Sequence, residues 1–173
     1  DKYVQPMIVV EDILSEVVKK SSVVVGFELS FQYGTLREIV ENLNTLGKGG
    51  KVKYPLVALI EPFKQRITDD GARSSLRLLI ATMTKKTLKA DERLEQNYKP
   101  ILFPAYEALI GEIKKVTISS TLDHTLINHF EMGRESLQGY DKAILDDHID
   151  AIEINDMNVL FRENKCNNLT KNF

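Results

Sequence analysis

An α+β domain is the fold class the sequence predicts: a mostly antiparallel sheet of about four strands flanked by two to three helices. Three observations lead there. Apolar residues recur at helical spacing over residues 7–20 and 36–43, alternate along 27–33 and 152–161, and run unbroken through 56–60. A turn signal, Thr68-Asp69-Asp70-Gly71, stands mid-chain between two strand-like runs. The elements run helix, strand, helix, strand, strand, helix, strand, which suits a layer of helices on one side of an antiparallel sheet.

The first helix is expected over Met7 to Lys20. Val10, Ile13, Leu14, Val17 and Val18 share one face, while Glu11, Ser15 and Lys19 fall opposite. Ser21 and Ser22 are read as its end. Val23 to Tyr33 is read as a strand, with Phe27, Leu29, Phe31 and Tyr33 alternating against Glu28, Ser30 and Gln32. Thr35, with Glu38 three residues on, has the spacing of a capping box and opens a second helix whose apolar face is Leu36, Ile39, Val40 and Leu43. Asn44 to Lys53, rich in glycine and lysine, is read as an exposed loop.

Leu56 to Ile60 is apolar throughout and is placed centrally in the sheet. Strands from about Phe63 to Ile67 and from about Arg73 to Thr84 flank the Asp-Gly turn. Leu88 to Tyr98 reads as a charged helix that Lys99-Pro100 interrupts. A helix resumes through Ala105, Ala108, Leu109 and Ile113, with Pro104 near its first turn. The apolar pattern weakens from Thr117 to Asp146, which is read as a long excursion without a regular element. Ile149 to Phe161 is the last strand. Ile152 and Ile154 share a face, and Met157, Val159 and Phe161 share one a residue out of phase, which predicts a bulge near Asn155-Asp156. The expected organisation is one domain over 1–162, with an excursion at about 117–148, and a polar C-terminal tail over 163–173.

Composition narrows the function classes. The 173 residues are 43% hydrophobic and 28% charged, as in ordinary globular domains. A net charge of -2 disfavours binding nucleic acid by bulk positive charge but leaves room for a local basic patch. No apolar run reaches the roughly 18 residues of a membrane span, so no membrane partner is expected. The acids Asp1, Glu11, Asp12 and Glu16 argue against reading residues 1–20 as a secretion signal. The single cysteine, Cys166, has no partner for an internal disulfide.

Chemistry-bearing constellations are sparse. Gly47-Lys48-Gly49-Gly50-Lys51 looks at first like a phosphate loop, but no Ser or Thr follows a Gly-Lys pair and a strand follows instead of a helix. His124, His129 and His148, with Asp123, Glu131, Asp146 and Asp147 nearby in sequence, have ligand chemistry for zinc or manganese but no ligand spacing. Asp146, Asp147 and Asp150 could work as acid and base, yet nothing marks out a nucleophile beside them. No metal, no cofactor and no catalytic residue are therefore expected. Tyr98 and Tyr106 are read as packing anchors.

Five pieces stand out: Lys53-Tyr54-Pro55-Leu56, Leu78-Leu79-Ile80-Ala81-Thr82, Lys99-Pro100-Ile101-Leu102, Pro104-x-Tyr106-Glu107-x-Leu109 and Ile149-Asp150-Ala151-Ile152-Glu153-Ile154. Together they resemble the neck and tail-completion proteins of tailed phages of Bacteroidales hosts, the crAss-like group among them. The resemblance implies a tail-terminator-like fold and a virion protein rather than an enzyme. It also implies a homo-oligomeric ring of six or twelve copies in the neck or tail, assembled in the host cytoplasm beside portal, neck or tail proteins. Passing genomic DNA would touch it without being gripped. On this reading Lys48, Lys51 and Lys53 are candidate DNA-channel contacts. Leu126, Ile127, Phe130, Leu137 and Phe173 are candidates for the subunit interface. The readings from other classes are a small soluble α+β enzyme and an assembly factor not retained in the particle.

Overall fold

A computed structural model of the chain describes residues 7–49, 53–69, 71–118, 122–132 and 145–162. It is an α+β structure whose elements, in order, are α1 (Val10–Val25), β1 (Ser30–Thr35), α2 (Leu36–Lys48), β2 (Leu56–Glu61), β3 (Lys64–Thr68) and β4 (Gly71–Met83). They continue as α3 (Ala90–Arg93), a π-helical segment (Leu94–Leu102), α4 (Phe103–Val116), β5 (Thr125–Met132) and β6 (Ile149–Leu160). Six strands form one mixed sheet in the order β1-β2-β4-β6-β5, with β3 also on β4. β4 is long enough for two partners: Leu78–Ala81 pairs β2, and Gly71–Ser75 pairs β3.

The local signals hold. The Thr35 hydroxyl accepts the Glu38 backbone N–H at 3.2 Å, and the Glu38 carboxylate accepts the Thr35 N–H at 2.9 Å. Thr68 and Gly71 are register partners, so the turn between β3 and β4 is a two-residue one, and Gly71 takes φ 139°, open to glycine. In β6, Met157 faces Leu76 and Ile154 faces Leu78. Asn155 and Asp156 thus oppose the single residue Arg77, with Asp156 at φ 55°. This bulge returns Met157, Val159 and Phe161 to the face of Ile152 and Ile154, where all five are buried in one core.

Five expectations need correction. First, α1 does not end at Ser21-Ser22. The serines stay helical, their hydroxyls donating back to the carbonyls of Val17 and Val18 at 2.8 and 3.0 Å instead of capping an end there. The helix stops at Gly26 in the left-handed conformation, φ 80°, so the strand is Ser30–Thr35 and not Val23 to Tyr33.

Second, α2 extends through Lys48 into the expected loop. Third, Pro100 does not interrupt its helix. The backbone widens into a π-helical turn, in which the N–H of Phe103 reaches the carbonyl of Tyr98. A proline, which has no N–H to offer and crowds the carbonyl of the preceding turn, fits that wider spacing. Fourth, the excursion contains β5, an added strand on β6.

Fifth, the helices lie on both faces of the sheet and not on one side. β1 and β2 are parallel, so their connection must cross over a face, and α2 is that crossover. Ile39, Val40 and Leu43 pack there on Leu56, Ala58, Ile60, Leu79 and Ala81. The other face, with Val57, Leu59, Leu78, Ile80, Ile152 and Ile154, takes α1, the π segment and α4 through Val10, Leu14, Val17, Leu102, Leu109 and Ile113. Among the described residues no helix is long and apolar enough to cross a membrane.

Candidate functional site

The alternation of β6 sends its polar side chains to two different places. Asp150 points among the helices and is fully buried. Asn97, carried on the π segment, donates to it at 2.7 Å and to Thr84 at 3.1 Å. The Arg93 guanidinium stands 4.0 Å from its other oxygen. Beside it the Tyr98 hydroxyl sits against the carbonyls of His129 and Ala151, a cross-strand pair of β5 and β6. Burial, and then the charge of Asp150, push this phenol well above its ordinary range. These groups bind the π segment to the sheet, since a buried carboxylate demands partners.

Glu153 points to the opposite face, clear of α2. Arg77 Nε donates to its Oε1 at 2.6 Å, and His129 Nε2 donates to its Oε2 at 2.7 Å. Burial works to raise this carboxyl, but the His129 and Arg77 hydrogen bonds outweigh it and hold it below the ordinary range. Three strands supply the three side chains, and the bulge opposite Arg77 sits at the margin of the group.

The histidines read from the sequence do not converge. His129 belongs to Glu153. His124 Nδ1 donates to the Leu122 carbonyl at 2.8 Å, so its Nε2 accepts the Tyr106 hydroxyl at 2.6 Å. Among the described residues no three His, Cys, Asp or Glu side chains group as metal ligands. Asp147 lies elsewhere, holding Lys53 Nζ at 2.5 Å and the Tyr54 hydroxyl at 2.9 Å. Burial, then the Asp147 charge and hydrogen bond, raise the Tyr54 phenol far above its ordinary range.

The candidate DNA contacts fall in different settings. Lys48 is exposed in the last turn of α2, where a cation complements the helix dipole. Lys53 is turned inward: besides Asp147 it donates to the Leu43 carbonyl at 3.0 Å, tying the segment before β2 to α2 and to the start of β6. Lys51 lies outside the described residues. Gly47 and Lys48 complete a helix and Gly49 caps its C-terminus, whereas phosphate loops lead into a helix N-terminus.

Of the candidate interface residues, Leu126 and Ile127 are 40% and 37% exposed on β5. Phe130 is in the same strand. Leu137 and Phe173 lie outside the described residues. The opposite edge, β1, presents Tyr33 at 54% exposure. The Glu153 cluster and the role of Asn97 were not anticipated. The only sequence signal for the first was the alternation that puts Ala151 and Glu153 on one face. No protein-family model matches the chain, and no curated protein matches it.

Proposed function

We propose that this chain is a structural subunit of a tailed-phage particle, with a tail-terminator-like fold, assembled as a ring of six or twelve copies in the neck or tail. The ring would join portal or neck proteins to the tail and surround the passing genome. The observation that carries the reading, beside the resemblance of the sequence, is the state of the sheet's two ends. Among the described residues β1, β3 and β5 each pair on one side only, and β1 and β5 end the strand order. β5 exposes Leu126 on one face and Ile127 on the other. An edge strand with free N–H and C=O groups and apolar side chains is a template for another chain. β1 and β5 are different strands at opposite ends, so a contact of one copy's β5 with the next copy's β1 side is head-to-tail. Head-to-tail contacts close into rings when the rotation permits.

Native mass spectrometry and negative-stain images of the purified chain test this. Closed rings are expected, and Ile127→Lys should shift the population to monomers that keep the parent's circular-dichroism spectrum. A chain that stays monomeric at tens of micromolar would refute the reading.

A further inference from the structure

At the turn end of β3 and β4 the face that carries Glu153 is left uncovered by α2, and its cross-strand rows are basic. Lys64 stands opposite Ser75, and Ser75 opposite Asn158. Two residues along, Arg66 stands opposite Arg73, and Arg73 opposite Leu160. Arg162 continues the alternation of β6 beyond Leu160, exposed next to buried Phe161. Lys64, Arg66, Arg73 and Arg162 are all exposed. No ion pair or side-chain hydrogen bond joins any of the four to another described residue. Arg77 extends the same face but is already held by Glu153. Asp156 of the bulge lies at one margin, in a shallow cleft with Lys64 and Arg77, and Asp69 of the turn is exposed at the other.

Two arginines directly opposite one another repel, and a sheet normally places a carboxylate there instead. Four unpaired cations on one ribbon are the more telling in a chain whose net charge is -2. Rows two residues apart are separated by about 7 Å along the strands and neighbours by about 5 Å across them, a two-dimensional grid of donors. Three of the four cations are arginines, whose planar fork matches phosphate oxygens. Ser75 and Asn158, interleaved in the first row, are types that add neutral contacts to a phosphate backbone.

From this grid we propose that Lys64, Arg66, Arg73 and Arg162 form a sequence-independent contact surface for the phosphate backbone of duplex DNA. The surface stands on its own geometry; that the DNA threads a ring rests on the function proposed above. It assigns the DNA-facing side to the β3–β4–β6 ribbon rather than to the lysines near the end of α2.

The test is fluorescence anisotropy of the full chain with a 20-base-pair duplex, titrated at several salt concentrations. Four phosphate contacts predict a log–log salt slope of about -3.6, or roughly a 150-fold loss of affinity between 50 and 200 mM salt. Arg66→Glu with Arg73→Glu should weaken binding more than tenfold, and Arg66→Gln with Arg73→Gln should lower the slope by about 1.8. Lys48→Glu should change neither. The inference is overturned if the chain shows no saturable binding at 50 mM salt, or if Lys48→Glu loses as much as the double variants. Equally tight binding of poly-glutamate would overturn it in favour of an acidic protein partner. Loss of oligomers in the double variants by native mass spectrometry would make the ribbon a contact between copies instead. A monomer that binds duplex as predicted would retain the surface and remove the ring.

Discussion

Replacing Gly34 with alanine tests how the edge strand β1 is joined to the helix that crosses the sheet. Gly34 has φ 144°, and a Cβ built there would lie 2.7 Å from the Glu38 Oε2 that caps the helix. Two costs follow. Forcing a side chain into that backbone region costs about 1–3 kcal/mol. Pushing the Glu38 carboxylate off the Thr35 N–H costs part of a capping interaction, about 1 kcal/mol. The sum, about 2–4 kcal/mol, divided by a urea dependence of about 2 kcal/mol per molar, moves the unfolding midpoint down by about 1–2 M.

The two costs separate in a double-mutant cycle. In a Glu38→Ala background the clash is gone, so Gly34→Ala should cost about 1 kcal/mol less than in the parent chain. Equilibrium urea unfolding followed by circular dichroism measures all four corners. A single-variant loss below about 0.5 kcal/mol would refute the backbone argument, set against the 1–3 kcal/mol expected. Equal losses in the two backgrounds would refute the clash.

Two further outcomes are expected. Glu153 has a folded pKa depressed below its ordinary 4.5, so the native state binds its proton less readily than the unfolded state. Its contribution to stability is then present above about pH 4.5 and is lost as pH falls through the folded value. Glu153→Gln should therefore be less stable than the parent at pH 7, with the gap in urea midpoint narrowing toward pH 3. A gap independent of pH would refute the bracketed carboxylate. Deleting Asp156 should remove the extra residue of the bulge and turn Met157, Val159 and Phe161 out of the core. The variant is expected to lose cooperative unfolding, and a well-dispersed amide spectrum like the parent's would refute the register.

What could be read from the sequence was what neighbouring residues decide among themselves. Thr35 and Glu38 cap one helix because they are three residues apart. Gly71 opens the strand after the turn because glycine admits a positive φ. Ile154 and Met157 fall out of phase because a bulge stands between them. Each signal is complete within a few residues, and so it survives without knowledge of the rest of the chain.

Tertiary structure decided the remainder, wherever a distant partner outweighed the local pattern. Ser21 and Ser22 looked like a break, yet Ser21 is buried on the packed face of the helix and Ser22 accepts the N–H of Leu29, beyond the helix end, at 2.9 Å. Pro100 was tolerated because a π turn made room for it and set Asn97 and Tyr98 against β5 and β6. Residues 125–132, without a clear period of their own, became a strand because β6 offered an edge to pair. Lys53 read as a free cation, but Asp147, 94 residues away, took it inward. The Glu153 cluster and the basic ribbon each gather side chains from separate strands whose pairing no short window records. Register, which is a long-range property, determined which charges neutralise one another and which are left facing solvent.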